Sequence, residues 1–317
     1  MPAYILTRLL LMVAPLLGVA TIVFVVLRLI PGDIVLLRLA GEGGSVTEAV
    51  LRAERARLGL SQPLWQQYAG WIWGLVRGDL GLSMWTGRPV AYEIWVRLRL
   101  SLELTLVASA LVAAIAIPLG SLAALRRGGW IDYVLRGFAV AGLSMPAFWV
   151  GVLVLLFLLV LFHWSPPVTF TPFWQNPVAN LSLMVWPACV VAFRSVALST
   201  RIMRSALLDV LHEDYVRTAR AKGLPWGRIV MQHAVRNALL PVITIVSLEA
   251  AAILGGLVVT EQVFNLNGLG KLLVDAVTQR DYTLTQALIM LSATAFVLMN
   301  FFVDLCYAWL DPRIRYR

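Results

Sequence analysis

Long apolar runs separated by polar segments dominate the chain, and six of them are long enough to cross a bilayer. About 20 apolar residues in a helix span a hydrocarbon core of about 30 Å. The qualifying runs are Leu9–Ile30, Leu102–Leu125, Gly137–Phe162, Leu181–Met203, Ala238–Thr260 and Leu284–Leu310. Arg194 and Arg201 interrupt the fourth run. The pattern predicts an all-α membrane protein with six transmembrane helices.

Composition agrees with a membrane protein and excludes two other broad classes. Of 317 residues, 60% are hydrophobic and 14% are charged, whereas soluble domains average about 45–50% apolar and about 25% charged residues. A disordered chain would combine low hydrophobicity with high charge, which is the opposite of this composition. Residues 1–317 are therefore interpreted as one transmembrane domain.

The distribution of basic residues predicts which side of the membrane each segment faces. Six spans place both termini on one side, and short cytoplasmic loops are rich in Lys and Arg. Most Lys and Arg residues lie in short segments on the same side of the membrane as the N-terminus. The two short segments on the other side of the membrane hold only Lys271 and Arg280. We therefore expect cytoplasmic termini, an extracytoplasmic insertion at 31–101 and a cytoplasmic loop at 204–237.

The net charge of +9 has three explanations, which are binding to nucleic acid, binding to anionic lipid, and membrane topology. The excess of Lys and Arg lies in the segments predicted to be cytoplasmic, and no base-reading module accompanies it. We therefore interpret the charge as a topology signal and expect no nucleic-acid partner.

The loop at 204–237 predicts a short helix, a tight turn and a second helix. Acidic residues begin the first helix at Glu213 and basic residues end it at Lys222, which matches the helix dipole. Gly223 supplies a left-handed stop, and Pro225 prevents the first helix from continuing. The loop thus forms a compact helical hairpin in the prediction.

This hairpin is longer than a connection between two spans needs, so two interpretations of it are weighed. In the first, its basic residues only fix the membrane topology. In the second, the hairpin docks against another protein. The small residues Ala219, Ala221 and Gly223 favour docking because they allow close approach.

The run from Glu213 to Leu224 resembles the coupling motif in permeases of ABC importers of the dipeptide, oligopeptide and nickel type. Importers at large carry Glu-Ala-Ala, three residues, Gly, nine residues and then Ile-x-Leu-Pro. Gly223 holds the glycine here, and Arg217-Thr218-Ala219 replaces Glu-Ala-Ala. His233–Arg236 stands at the Ile-x-Leu-Pro position, and both departures are typical of the peptide-type branch.

Further short motifs similar to that family follow in order along the whole chain. Each is weak alone, but their joint occurrence by chance is not credible. One departure is Asn-Leu-Asn at 265–267, where the family often has a Pro-Gly pair, so this outer turn is expected to differ locally. The motifs are Arg28–Asp33, Leu58–Leu64, Gly78–Gly81, Leu143–Trp149, Arg236–Pro241, Glu261–Phe264, Gly268–Gly270, Arg280–Tyr282 and Leu310–Ile314.

The resemblance implies the fold of a type I ABC importer transmembrane domain in the bacterial inner membrane. Such a permease pairs with a second permease in the lipid bilayer, two ABC ATPases bind beneath it, and an extracytoplasmic substrate-binding protein delivers the solute. The expected solute is a small peptide, with a nickel chelate or another small solute as the alternative. ATP and Mg belong to the ATPases, so the chain is expected to hold no cofactor or metal.

The resemblance also assigns the first helix of the hairpin to a cleft of the ATPase. The chain has no G-x-x-x-x-G-K-[ST] sequence, and Gly268–Lys271 is followed by leucines, so the energy must come from a partner. The residues expected to couple to the ATPase are Glu213, Asp214, Tyr215, Val216, Arg217, Ala219, Arg220, Ala221, Lys222 and Gly223.

Ionisable residues inside the spans are functional candidates because burying them is costly. Glu249, near the middle of the fifth span, would meet a peptide amino terminus in the pathway, and a hydrogen bond between subunits is the alternative. Arg194 is expected to have an acidic or carbonyl partner. Snorkelling or a structural pair explains Glu103 and Asp304.

Prolines and glycines mark expected breaks in the spans. Ser144 and Pro146 are candidates for a hinge in the third span, with packing alone as the alternative. Gly255 and Gly256 near the outer end of the fifth span would permit close helix approach or a gate. The prolines expected to break spans two to five are Pro118, Pro146, Pro187 and Pro241.

Two other classes of membrane protein were weighed against a transport subunit. A membrane-embedded enzyme should carry a catalytic set, but the sequence has no HExxH, no GxSxG and no paired-histidine site. A secondary carrier should show inverted repeats around a midplane site, and no internal repeat is visible. Both are less favoured than a non-catalytic permease.

Overall fold

The computed structural model describes residues 2–30, 32, 34–41, 47–167 and 169–310. The motif residues Pro31, Asp33 and 311–314 lie outside the described residues, as does the side chain of Asp304. The helices are α1 Pro2–Leu29, α2 Ile34–Gly41, α3 Glu48–Arg57, α4 Leu64–Arg77, α5 Val90–Leu125, α6 Trp130–Ser144, α7 Ala147–Phe162, α8 Pro177–Leu211, α9 Asp214–Ala221, α10 Trp226–Arg228, a π-helical turn Ile229–Ala234, α11 Val235–Gly256, α12 Val258–Val263, α13 Leu269–Thr278 and α14 Tyr282–Leu310.

Among the described residues, five helical segments are long and apolar enough to cross a membrane, and the bent pair α6–α7 brings the number to six if it is counted as one span. The five segments are Leu10–Leu29, Val90–Leu125, Pro177–Leu211, Trp226–Gly255 and Tyr282–Phe302. They follow the order of the predicted apolar runs. The prediction of an all-α membrane protein is confirmed.

The third predicted span, Gly137–Phe162, is broken at Pro146 as expected, although its first helix begins earlier, at Trp130. Helices α6 and α7 are bent by 104° at the break between them. Met145 adopts φ −84° and ψ 128° there, because a residue that precedes proline avoids the helical region. Pro146 then caps the start of α7.

The other three prolines do not break their helices, which corrects the prediction. Pro118, Pro187 and Pro241 lie inside α5, α8 and α11 respectively. Helices in a membrane tolerate proline where neighbouring groups satisfy the freed backbone carbonyl. The predicted end of the fifth span at Thr260 was also too late, because α11 ends at Gly256 and α12 follows it.

Residues up to Arg99, together with those from Asn267, form one compact unit. In this unit α14 packs against α1 and α13. The ring of Phe24 in α1 lies 5.1 Å from that of Tyr68 in α4. Val90 and Ile94 are buried with the apolar faces of α13 and α14, which explains why α5 begins well before the predicted Leu102.

Residues Leu100–Leu266 form the second unit, which is organised around α8. This helix packs against α6, α7 and α11. Gly142 of α6 allows the close approach, since a Cβ there would lie 2.7 Å from the Cβ of Ala197 in α8. The C-terminal end of α8, at Leu211, leads directly into α9, so the helical hairpin is attached to the central helix of this unit.

Candidate functional site

The predicted helical hairpin is present, and we call the segment Glu213–Arg228 the coupling hairpin. Glu213 is extended and precedes α9, which runs from Asp214 to Ala221. Gly223 has φ +77°, and its N–H donates to the carbonyl of Arg220 at 3.0 Å. The left-handed stop and the restart at Trp226 are therefore confirmed.

One face of α9 is buried against the rest of the coupling hairpin. Val216 and Ala219 are 3% and 9% exposed, and they form an apolar cluster with Ile229 and Leu224. The expectation that Ala219 offers its small side chain to another protein was therefore wrong. Ala219 faces inward because it follows Val216 by three residues and thus lies on the same side of the helix.

The opposite face of α9 is exposed and carries charges of both signs. Arg217 lies 3.4 Å from Asp214 in a solvent-exposed ion pair, which contributes little to stability. The guanidinium of Arg220 lies 5.4 Å from the ring centroid of Trp226. The exposed candidates are Glu213, Asp214, Tyr215, Arg217, Arg220, Ala221, Lys222 and Gly223.

The coupling hairpin is joined to α11 by a hydrogen bond as well as by the chain. Asn237 Nδ2 donates to the hydroxyl oxygen of Tyr215 at 2.7 Å. The π-helical turn Ile229–Ala234 lies between α10 and α11, and such turns are frequent at functional sites. Displacement of α9 would therefore act directly on α11, and through the connection at His212 on α8.

Glu249 meets a partner within this chain, on the helix that packs beside it. Ser195 Oγ of α8 donates to Glu249 Oε2 of α11 at 2.5 Å. Ser195 is buried, and Glu249 is half-buried. Glu249 therefore bonds within its own chain rather than standing alone in the span.

Two further charged residues, Glu103 and Arg194, lie within the predicted spans. The structure confirms the expected partner for one of them and not for the other. Asn180 Nδ2 donates to Glu103 Oε2 at 2.7 Å, so the structural pair expected for Glu103 is confirmed. Arg194 is exposed and makes no hydrogen bond or ion pair in the described part of the chain. The expectation of an acidic or carbonyl partner for Arg194 was therefore wrong within this chain.

The hinge and gate candidates lie at helix ends. Ser144 Oγ donates to the carbonyl of Val140 at 2.8 Å, and Ser144 is the last residue of α6, two residues before Pro146. Gly255 is exposed, with open space where a Cβ would stand. Gly256 ends α11, and its burial lies outside what the structure describes.

One ion pair of the second unit was missed by sequence reasoning. Arg204 of α8 donates to Asp132 of α6 from Nε to Oδ1 at 2.7 Å and from Nη2 to Oδ2 at 2.9 Å. No signal in a single sequence joins residues so far apart.

Two family models match this chain. The model described as "Binding-protein-dependent transport system inner membrane component" matches residues 116–316. A second model, for the N-terminal region of such membrane components, matches residues 1–91. Together they cover both the first helices and the region that contains the coupling hairpin.

Several proteins named as permeases align with this chain over nearly their whole length. The dipeptide transport system permease protein DppB of Escherichia coli is 40% identical, over 99% of this chain and 99% of that protein. A putative peptide transport system permease protein of Brucella abortus is 37% identical over the full length of both. A probable peptide ABC transporter permease protein of Sinorhizobium fredii is 36% identical over the same extent.

Proposed function

Because the chain belongs to the family of binding-protein-dependent transport system inner membrane components, we propose that it is the permease subunit of an ATP-driven importer of small peptides. The observation that carries the proposal is full-length similarity to permeases named for dipeptide or peptide transport. The helical fold with up to six spans supports this function. The protein is a multi-pass component of the bacterial inner membrane.

The importer requires partners that supply energy and substrate. The chain has no phosphate-binding G-x-x-x-x-G-K-[ST] loop, so two ABC ATPase subunits bind ATP and Mg and hydrolyse the nucleotide. A second, similar permease completes the pathway, and an extracytoplasmic binding protein delivers the peptide. In this assignment the chain is a non-catalytic subunit.

The coupling hairpin is proposed as the contact with the ATPase. Its exposed face carries Asp214, Arg217, Arg220 and Lys222, which offer charges of both signs to a cleft in the partner. Val216 and Ala219 support that face from beneath, because they hold α9 against Ile229. Movement of the ATPase would then reach α8 and α11 through rigid connections.

The pathway is proposed to run beside α8 and α11. Glu249 is half-buried beside Ser195, and a carboxylate at that depth would attract a peptide amino group. Ser144 and Pro146 form the hinge between α6 and α7. Gly255 and Gly256 form a gate at the outer end of α11.

The proposed orientation places both termini and the loop 204–237 in the cytoplasm. The segment 31–101, which contains α2, α3 and α4, then lies outside. Support for this orientation is the excess of Lys and Arg in the segments assigned to the inner face.

Co-purification tests the assembly on which this function depends. An affinity-tagged chain should bring down a second permease and two ATPases from detergent-solubilised membranes. Mass spectrometry of the solute held by the cognate binding protein should identify a small peptide. A chain that purifies alone and transports without ATPases would contradict the proposal, and a bound nickel chelate would correct the substrate.

A further inference from the structure

The exposed side chains of helix α8 change in chemical character along its length. In residues 177–189 the exposed side chains are mostly apolar, and they are Pro177, Val178, Leu181, Ser182, Trp186 and Cys189. In residues 190–211 every exposed side chain is polar, and they are Arg194, Arg201, Ser205 and Asp209. We call these last four residues the polar stripe.

The polar stripe follows a single helix face. Its members are seven, four and four residues apart, which is the spacing of residues on one side of an α-helix. At a rise of 1.5 Å per residue the stripe is about 22 Å long. It therefore extends from the middle of the span towards the coupling hairpin.

The two arginines of the stripe lie within the predicted span Leu181–Met203 and are incompatible with a lipid-facing position. An arginine at the centre of a bilayer is costly, and such residues face a water-filled cavity or a partner. Arg194 has no such partner in the described part of this chain, although Glu249 lies on the neighbouring helix and bonds to the adjacent Ser195. Arg194 and Glu249 thus carry opposite charges on two helices that pack together, and they form no ion pair with each other in the described part of the chain.

We propose that the polar stripe lines the inner half of the translocation pathway and that Arg194 binds the C-terminal carboxylate of the passing peptide. This inference rests on the proposed import of peptides. A guanidinium binds a carboxylate through two parallel hydrogen bonds, and a small peptide carries both a carboxylate for Arg194 and an amino group for Glu249. The two unpaired charges of this region therefore complement the two ends of the substrate.

Cysteine labelling tests the aqueous position of the stripe without reference to substrate. The complete complex is prepared with one cysteine at a time, as Arg194→Cys, as Arg201→Cys, or as native Cys189, with every other cysteine of this chain replaced by serine. A charged, membrane-impermeant thiosulfonate is added from the cytoplasmic side. Cys189 is the matched control, because it is exposed on the apolar half of the same helix and within about 8 Å of Arg194 in depth.

We expect both stripe positions to react at least about tenfold faster than Cys189, since only the ionised thiolate in water is reactive. Equal rates, or faster labelling of Cys189, would overturn the assignment of the stripe to the pathway. Arg201→Cys retains Arg194 and lies within the predicted span Leu181–Met203, so this result does not depend on whether the Arg194 variant assembles.

Uptake of a dipeptide and of its C-terminal amide tests the role of Arg194. Wild-type proteoliposomes with ATPases and binding protein should prefer the free carboxylate, and Arg194→Gln should reduce that preference about tenfold, as expected for a lost charge-assisted hydrogen bond. An unchanged preference would overturn the inference. So would loss of the second permease from the Arg194→Gln complex, because Arg194 would then be an interface residue. Absence of peptide uptake in the wild type contradicts the proposed function instead, while the labelling result still decides the stripe.

Discussion

Arg204 holds the carboxylate of Asp132 through two hydrogen bonds of 2.7 and 2.9 Å. The Asp132 side chain is 2% exposed and that of Arg204 is 20% exposed. Asp132 also accepts a hydrogen bond of 3.0 Å from the N–H of Gly128, in the turn before α6. The pair joins the start of α6 to α8, about two and a half helical turns before the coupling hairpin begins at Glu213.

Replacing Asp132 with asparagine should destabilise the protein by about 3 kcal/mol, because breaking a buried pair leaves an uncompensated charge. The expected loss is at the low end for such pairs since Arg204 is partly solvated. Thermal unfolding of the purified complex in detergent should show a drop in Tm of several degrees.

Arg136→Gln is the matched control for this ion pair. Arg136 lies 3.7 Å from the same carboxylate but is 48% exposed, so its loss should cost less than about 0.5 kcal/mol. Equal effects of Asp132→Asn and Arg136→Gln would show that the pair with Arg204 has no special role.

Gly142→Ala should loosen the contact between α6 and α8. A Cβ at this position would stand 2.7 Å from that of Ala197, and overpacking of this kind costs about 1–3 kcal/mol. Gly137→Ala on the same helix meets nothing within 4 Å and should be neutral or stabilising. The two variants are compared by Tm, and identical behaviour would contradict the close approach of the helices.

The sequence signals that succeeded were local ones. The coupling hairpin was predicted because Gly223 and Pro225 stop a helix through their own backbone geometry. The site of the break in the third span was foreseen at Pro146 for the same reason. The bend of 104° was not foreseen, because packing of α6 and α7 on neighbouring helices sets the angle.

Features that depend on distant contacts were not predictable from one sequence. Asp132 meets Arg204 only because α6 and α8 pack together, and Ser195 meets Glu249 only because α8 packs on α11. The rotation of the exposed face of α8 has the same origin. Apolar periodicity marks a span but does not show which neighbours cover each part of it.

Glu249→Gln should reduce peptide uptake and alter selectivity between peptides, because the neutral amide no longer attracts a peptide amino group. We expect a decrease of about tenfold in uptake, comparable to the loss of one hydrogen bond to a charged group. Uptake is measured in proteoliposomes with peptides that have a free or an acetylated amino terminus.

Ser195→Ala distinguishes attraction of a peptide amino group by Glu249 from a structural role of the Ser195–Glu249 contact. The variant removes the 2.5 Å hydrogen bond to Glu249 but keeps the carboxylate charge, so selectivity for a free amino terminus should survive. If Glu249→Gln leaves uptake and selectivity unchanged, Glu249 does not belong to the pathway.

Gly223→Val should uncouple ATP hydrolysis from transport. The residue at this position has φ +77°, which strongly disfavours a β-branched side chain, so the turn after α9 must rearrange. We expect the complex to reach the membrane but to lose most substrate-stimulated ATPase activity and uptake. Gly227→Ala is the control, since it lies in α10 with open space at the Cβ position and should retain both activities; normal stimulation in Gly223→Val would exclude a coupling role for the turn.

The most direct test of the account is uptake of a labelled dipeptide by proteoliposomes that contain this chain with a second permease, two ATPases and the binding protein. We predict accumulation that requires ATP and every one of these components. Accumulation by the chain alone, or none by the complete assembly with any small peptide, would contradict the assignment of this protein as the permease of an ATP-driven peptide importer.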